Sequence, residues 1–363
     1  MTRLGARMVL AVLVVAGACA SSKDDAAAPA SSSTARPASS TSSSTGPAVS
    51  CRGVGEAPAG GAVTWVTDGR LVDAGGCLLA PAEATGDVEW GGKADRVLIG
   101  GGVALGSPPA TMPLGPGPLV LSKPVGTAVL RVTKDGTLEK RKLDSQEWTD
   151  ISFLAGHETA VYHPAGRSIV SSGTDDEGNA TLVIADNEGR DPRPLLDDES
   201  AEHVADPVFT ASGALLFTAD HGDHVDLHRL EIDAGKLTTV TSVKAPATIA
   251  NITTSPFKGG GVAWTTGDCA SKTPPALIAE RGGNYLSLSD TKAATARPVG
   301  WLPDGRLVAV DGQICKPAVP GKLLVVNDGT ADVVAEGVST AAIRAVRPPP
   351  PPPPSTISQR APA

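Results

Sequence analysis

The chain has 363 residues, a formal net charge of -8 and only 3% aromatic residues. Its 41 Gly and 31 Pro supply too much turn chemistry for a helical bundle or a coiled coil. The acidic balance argues against a nucleic-acid binder, and the single long apolar run, at the extreme N-terminus, argues against several membrane-spanning helices.

Arg3 and Arg7 form a positive n-region, followed by the 11 apolar residues Met8 to Ala18. That length suits a signal h-region and is too short to span a bilayer, so residues 1–18 read as a signal peptide. Ala16-Gly17-Ala18-Cys19 resembles a bacterial lipobox, with Ala16 where Leu usually stands. The resemblance implies lipidation of Cys19, which would hold the protein on the outer side of the cell membrane. Residues 19–50 are rich in Ser, Ala and Pro and cannot offset their ordering entropy, so they read as a flexible tether. Residues 51–346 carry the folded domain. Residues 347–363 form a tail, and the run Pro348 to Pro354 reads as a polyproline II spacer.

Within the domain two kinds of glycine turn alternate. The first kind uses glycines 69, 115, 166, 213, 259 and 305, with spacings of 46, 51, 47, 46 and 46 residues. The second kind, about 23 residues later, uses glycines 92, 136, 189, 235, 282 and 329. Asp135-Gly136 and Asp328-Gly329 are hairpin signals, because glycine takes the positive φ that primed turns need. Each unit holds four short apolar runs, such as Val204 to Phe209, Ala214 to Thr218, Val225 to Leu230 and Lys236 to Val240. Four antiparallel strands per repeat is the anatomy of a propeller blade, so the expectation is an all-β, six-bladed β-propeller. The run Ala341 to Val346 competes with Ala62 to Val66 for the closing position.

The segment Trp301-Leu302-Pro303-Asp304-Gly305-Arg306-Leu307-Val308-Ala309-Val310 resembles the core of TolB-like, WD-like propeller repeats. Leu216 to Leu227 resembles the next stretch of the same repeat. The resemblance runs over residues 60–335, best in units three, four and six. It implies a six-bladed propeller used for protein or small-ligand contact, with no particular chemistry attached.

In such propellers the turn between second and third strands lies on one face with the connections between blades. On that rule Asp175, Asp176 and Glu177 share a face with Asp220, Asp268 and Asp311, and with Asp73, Cys77 and the segment Asp197-Asp198-Glu199. This acidic face could bind a cation or a basic partner, and is the candidate contact surface for an envelope protein or peptide, although Asp is also an ordinary turn residue. His221, Asp223 and His224 are the candidate metal ligands, and His224, Asp226 and His228 would share a strand face by period two. The competing reading is a polar turn that the repeat already expects.

With Cys19 lipidated, Cys51, Cys77, Cys269 and Cys315 remain for two disulfides, as suits an exported protein. Cys269 with Cys315 and Cys51 with Cys77 is one pairing. Cys77 with Cys315 across the ring closure is another, and sequence does not choose. Neither a nucleophile elbow, a His-Glu-x-x-His motif nor a P-loop occurs. The reading is therefore a lipid-anchored, non-catalytic binding or scaffolding propeller without a cofactor. The alternative is an envelope hydrolase using calcium or zinc at the propeller axis.

Overall fold

The computed structural model describes Cys51 and, with short gaps, residues 62–344. The signal segment, tether, Cys19, Asp197-Asp198-Glu199 and the proline run lie outside the described residues.

The architecture is all-β. Blade 1 is formed by β1 (Ala62–Thr67), β2 (Arg70–Asp73), β3 (Gly76–Leu79) and the last strand, β28 (Thr340–Arg344). Blade 2 holds β4 (Val88–Trp90), β5 (Arg96–Ile99), β6 (Gly102–Leu105) and β7 (Ala110–Pro113). Blade 3 holds β8 (Leu119–Leu121), β9 (Ala128–Val132), β10 (Leu138–Lys142) and β11 (Thr149–Asp150). Blade 4 holds β12 (Gly156–Tyr162), β13 (Ser168–Thr174), β14 (Ala180–Asp186) and β15 (Arg193–Leu196). Blade 5 holds β16 (His203–Phe209), β17 (Leu215–Asp220), β18 (His224–Glu231) and β19 (Lys236–Lys244). Blade 6 holds β20 (Thr248–Thr254), β21 (Gly261–Gly267), β22 (Ala276–Arg281) and β23 (Asn284–Tyr285). Blade 7 holds β24 (Arg297–Trp301), β25 (Leu307–Asp311), β26 (Gly321–Asn327) and β27 (Thr330–Val338), preceded by one 3-10 turn at Lys292–Thr295.

The four-stranded antiparallel propeller is as expected, but the described residues form seven such sheets, one more than the six units read from sequence. The four C-terminal units are blades 4 to 7. There Gly166, Gly213 and Gly305 turn the first strand into the second, and Gly189, Gly235, Gly282 and Gly329 turn the third into the fourth. The two N-terminal units hold three blades. Gly115 lies between blades 2 and 3, and Gly136 joins the second and third strands of blade 3, so both are out of phase. Blades 1 and 2 are built from strands of only three to six residues, which compresses the spacing.

Ala341 does not displace β1; it pairs with it. β1 and β28 run antiparallel from Ala62↔Arg344 to Val66↔Thr340, so chain ends far apart in sequence complete blade 1. Thr64 Oγ1 donates to the Ala342 carbonyl (3.2 Å) and accepts from Trp90 Nε1 (2.8 Å). The Arg344 guanidinium lies 4.4 Å from the centre of the Trp90 ring, a cation–π contact with blade 2. Buried Gln313 donates to the carbonyls of Val338 and Ser339 and ties blade 7 to the entry of β28.

Alternation along the strands sends side chains to both neighbours. Leu215, Phe217 and Ala219 pack toward blade 4, whereas Leu216 of the same strand packs with Ile249 and Trp264 of blade 6. Trp301 is fully buried between blades 6 and 7. Gly261 makes room for it, since a Cβ there would lie 2.3 Å from the indole.

The disulfides are Cys51–Cys77 and Cys269–Cys315. The second links corresponding turns of blades 6 and 7 and closes a loop of 46 residues. Cys269→Ser with Cys315→Ser is expected to cost about 3–4 kcal/mol on the chain-entropy estimate, read by chemical denaturation. Ending the chain at Ser339 deletes β28 and should cost more, beyond about 4–5 kcal/mol, the range where loss of a buried element stands apart from point substitutions. A thermal melt of that truncation unchanged from the full chain would show that closure is not needed.

Candidate functional site

Two regions carry polar groups that the fold does not plainly require: the loop face and the axial channel.

On the loop face, the turns between second and third strands of blades 4, 5, 6 and 7 hold Asp175–Glu177, Asp220, Asp268 and Asp311. These six acidic residues therefore share one end of the ring. Several are engaged in their own turns. Asp175 Oδ1 accepts the backbone N–H of Glu177 (3.0 Å) and Asn179 (2.8 Å), and these bonds hold its carboxyl below the usual range. Asp220 and Asp268 accept from Gly222 and Ala270, each at 2.8 Å. Asp176 and Glu177 are exposed. Asp73 and Cys77 do not belong to this face. Because β28 is the first strand of blade 1, the turn after Asp73 is a third-to-fourth turn and points to the opposite end.

The histidines converge differently from the expected set. Ligand atoms of His221, His224 and Asp226 lie within 4.8 Å of one another, the one such group of three among the described residues. The imidazoles of His221 and His224 stack with centroids 4.6 Å apart. His224 Nε2 is 3.9 Å from Asp226 Oδ1, which is buried and lacks a hydrogen-bond partner. Asp223, named from sequence as a ligand, instead stands outside this group. Its carboxylate lies 2.5 Å from His224 Nδ1, which raises the histidine pKa and lowers its own. Asp226 replaces it because period two along β18 puts residues 224 and 226 on one face and 223 in the exposed turn. His228, on the same face, reaches Asp226 Oδ2 at 3.7 Å from a buried position against Phe217.

The axial channel widens to a cavity of about 350 Å³. Innermost strands of blades 3 to 6 line it, through Val120, Val161, Val208 and Ile252, with Asp206 and Asn251. Asp206 and Asn251 occupy matching bulges of β16 and β20, and both have φ of 53°. Asn251 Nδ2 donates to Thr265 Oγ1 (2.9 Å). Asp206 opens on the channel, and the surrounding protein pushes its carboxyl above the usual range. Sequence reading missed both residues; the signal is a polar residue in mid-strand, beside Pro207 in one case. An axial divalent-cation site needs several converging oxygen ligands, and Asp206 is the one carboxylate among the described residues lining this cavity.

His157 is structural. Its Nε2 accepts the backbone N–H of Phe153 (3.1 Å) and Leu154 (3.2 Å), and its Nδ1 donates to Ser171 Oγ (2.7 Å), which donates on to the Thr159 carbonyl. Protonation at Nε2 would break two bonds, and burial lowers the pKa to about 4.

No protein-family model matches the chain, and no curated protein matches it in sequence. Several solved structures resemble its fold. An oligogalacturonate lyase in complex with manganese is 13% identical, with TM-score 0.51, over 67% of this chain and 78% of the other. TolB from Acinetobacter baumannii is 16% identical, with TM-score 0.46, over 78% of this chain and 66% of the other. An oligogalacturonate lyase from Vibrio parahaemolyticus is 10% identical, with TM-score 0.49, over 73% and 81%. At these identities the likeness concerns the propeller fold alone.

His157 predicts an acid dependence of stability. The unfolded histidine takes up its proton near pH 6.5, the folded one only near pH 4. Its contribution is therefore complete above about pH 6.5 and falls by up to about 3 kcal/mol as pH drops toward 4. Denaturant melts of the protein and of His157→Asn at pH 7 and pH 4.5 should show the smaller pH difference in the variant. Equal differences would remove His157 from the acid response.

Proposed function

We propose that this is an exported, lipid-tethered propeller of the cell envelope that binds a basic protein or peptide through its loop face and performs no catalysis. The observation that carries the reading is the loop face itself. Carboxylates of four consecutive blades occupy one end of the ring, with Asp176 and Glu177 exposed, and Cys269–Cys315 fixes two neighbouring turns there. A rigid frame displaying loops of one charge sign favours contact with a partner of the opposite sign. Two disulfides suit an oxidising compartment outside the cytoplasm. The apolar stretch before Cys19 and the small residues beside it support the anchor. The TolB-like repeat motif at Trp301 to Val310 agrees with an envelope role. A cation-dependent hydrolase draws no support from the cavity between blades 3 and 6, where Asp206 is the one carboxylate among the described lining residues.

Two measurements test the parts separately. Cys19→Ser should move the protein from the membrane fraction to the soluble fraction, and a protein that stays membrane-bound refutes the lipid anchor. A photo-crosslinking amino acid at Asp176 or Asp268 should yield a discrete adduct in intact cells, and one at Asp233, on the opposite face, should not. Adducts of equal yield from both faces, or from neither, would refute the loop-face contact.

A further inference from the structure

The group at the start of β18 has the composition and outer partners of a metal centre. Two imidazoles and one carboxylate form a common three-ligand set for zinc, which leaves a fourth position for water or another ligand. We propose that His221, His224 and Asp226 bind one zinc ion on the loop face of blade 5.

Three observations carry this beyond a polar turn. First, the available atoms are the appropriate ones. His224 Nδ1 is taken by Asp223 and His221 Nδ1 by Ser200 Oγ (3.2 Å), so each ring presents Nε2. A carboxylate or hydroxyl behind a ligating histidine fixes its tautomer and orientation, and such partners recur around zinc. Second, Asp226 Oδ1 is buried, without a hydrogen-bond partner, and 3.9 Å from His224 Nε2. A buried carboxylate oxygen with no donor is costly, and a cation there would satisfy it. Third, the separations are close to what the ion needs. Zinc–ligand bonds of about 2.0–2.1 Å put tetrahedral ligand atoms roughly 3.3 Å apart. The three groups start within 4.8 Å, and the half-buried His221 and His224 flank the exposed turn residues Gly222 and Asp223, where side-chain rotation can close the remainder.

The surroundings agree. Asp220 and Asp223 add negative charge at the same turn. His224 and Asp226 sit opposite Lys244 and Ser242 on the edge strand β19, where Lys244 is exposed and free to extend into solvent. The proposal concerns this ion alone and holds whether or not the loop face has a protein partner.

The test uses the purified full chain carrying Cys19→Ser, which removes the one cysteine outside the disulfides. After treatment with a chelator, zinc chloride is titrated calorimetrically. The expected result is one ion per chain with a Kd below about 10 μM and a raised Tm. His221→Ala and Asp226→Asn should each weaken binding at least tenfold, and Asp223→Ala about tenfold through loss of its hold on His224. His163→Ala, at the opposite end of the ring, should bind as the parent does. Cobalt(II) in place of zinc should give the intense visible bands of four-coordinate geometry, lost in His221→Ala, a substitution in the turn before β18 and outside the buried blade core. Overturning results are sub-stoichiometric zinc, binding unchanged in both ligand variants, or only the weak bands of six-coordinate cobalt.

Discussion

The structure depends on a sheet pairing between segments that are 278 residues apart where Thr64 meets Ala342. A four-stranded blade has two apolar faces and can bury neither alone. Seven buried clusters solve this among the described residues, one at each junction between neighbouring blades. The last junctions exist only because β28 fills the innermost position of blade 1. There it places Ala342 in the cluster shared with blade 2 and Ala341 in the cluster shared with blade 7. The entropic cost of closing so long a loop grows only with the logarithm of its length. The ring repays it through both new interfaces at once. Trp90 makes the coupling concrete, since its indole holds Thr64 of β1 on one side and lies under Arg344 of β28 on another.

This closure also explains which parts of the fold could be read from the sequence. Blades 4 to 7 were legible because each is one continuous segment with strands mostly of five to nine residues and glycine turns in constant phase. Blade 1 was not, because a quarter of it arrives from the far end of the chain and a three-strand segment carries no complete period. The run of spacings near 46 through Gly69 and Gly115 was a coincidence of short blades. The conflict between Ala62 to Val66 and Ala341 to Val346 was the real signal: two apolar runs suited to one place are what a shared blade requires.

The site was legible to a different depth. The strand period correctly grouped His224 with Asp226 and His228, yet proximity in the chain made Asp223 look like the ligand. Neighbours in a strand point to opposite faces, so the residue adjacent to His224 supports it from the turn and the residue two places on shares its surface. Asp206 and Asn251 were hidden for another reason. Each owes its position to a bulge, and a bulge leaves little trace in a pattern of alternation. Asp206 falls inside the apolar run Val204 to Phe209, and both residues line the channel at the centre of the ring.

The two ends of the ring follow from the same geometry. At one end the chain makes short hairpins within blades, and glycine at positive φ sets them tightly, as at Gly166 and Gly305. At the other end it makes the turns between second and third strands and the passages from blade to blade. Those passages need no fixed twist, so length and polarity can vary there without disturbing the interfaces. The Cys269–Cys315 bond, the His221 turn and Gln313, which donates to Val338 and Ser339, all lie at that end. Gln313 uses the freedom for closure, tying the passage into β28 with hydrogen bonds from a fully buried side chain. The His221 turn has no such task, since blade 5 is closed by its own strands. The unpartnered oxygen of Asp226, beside the two imidazoles, is a polar group the fold does not use, held next to the end of the ring where the fold leaves most freedom to bind something else.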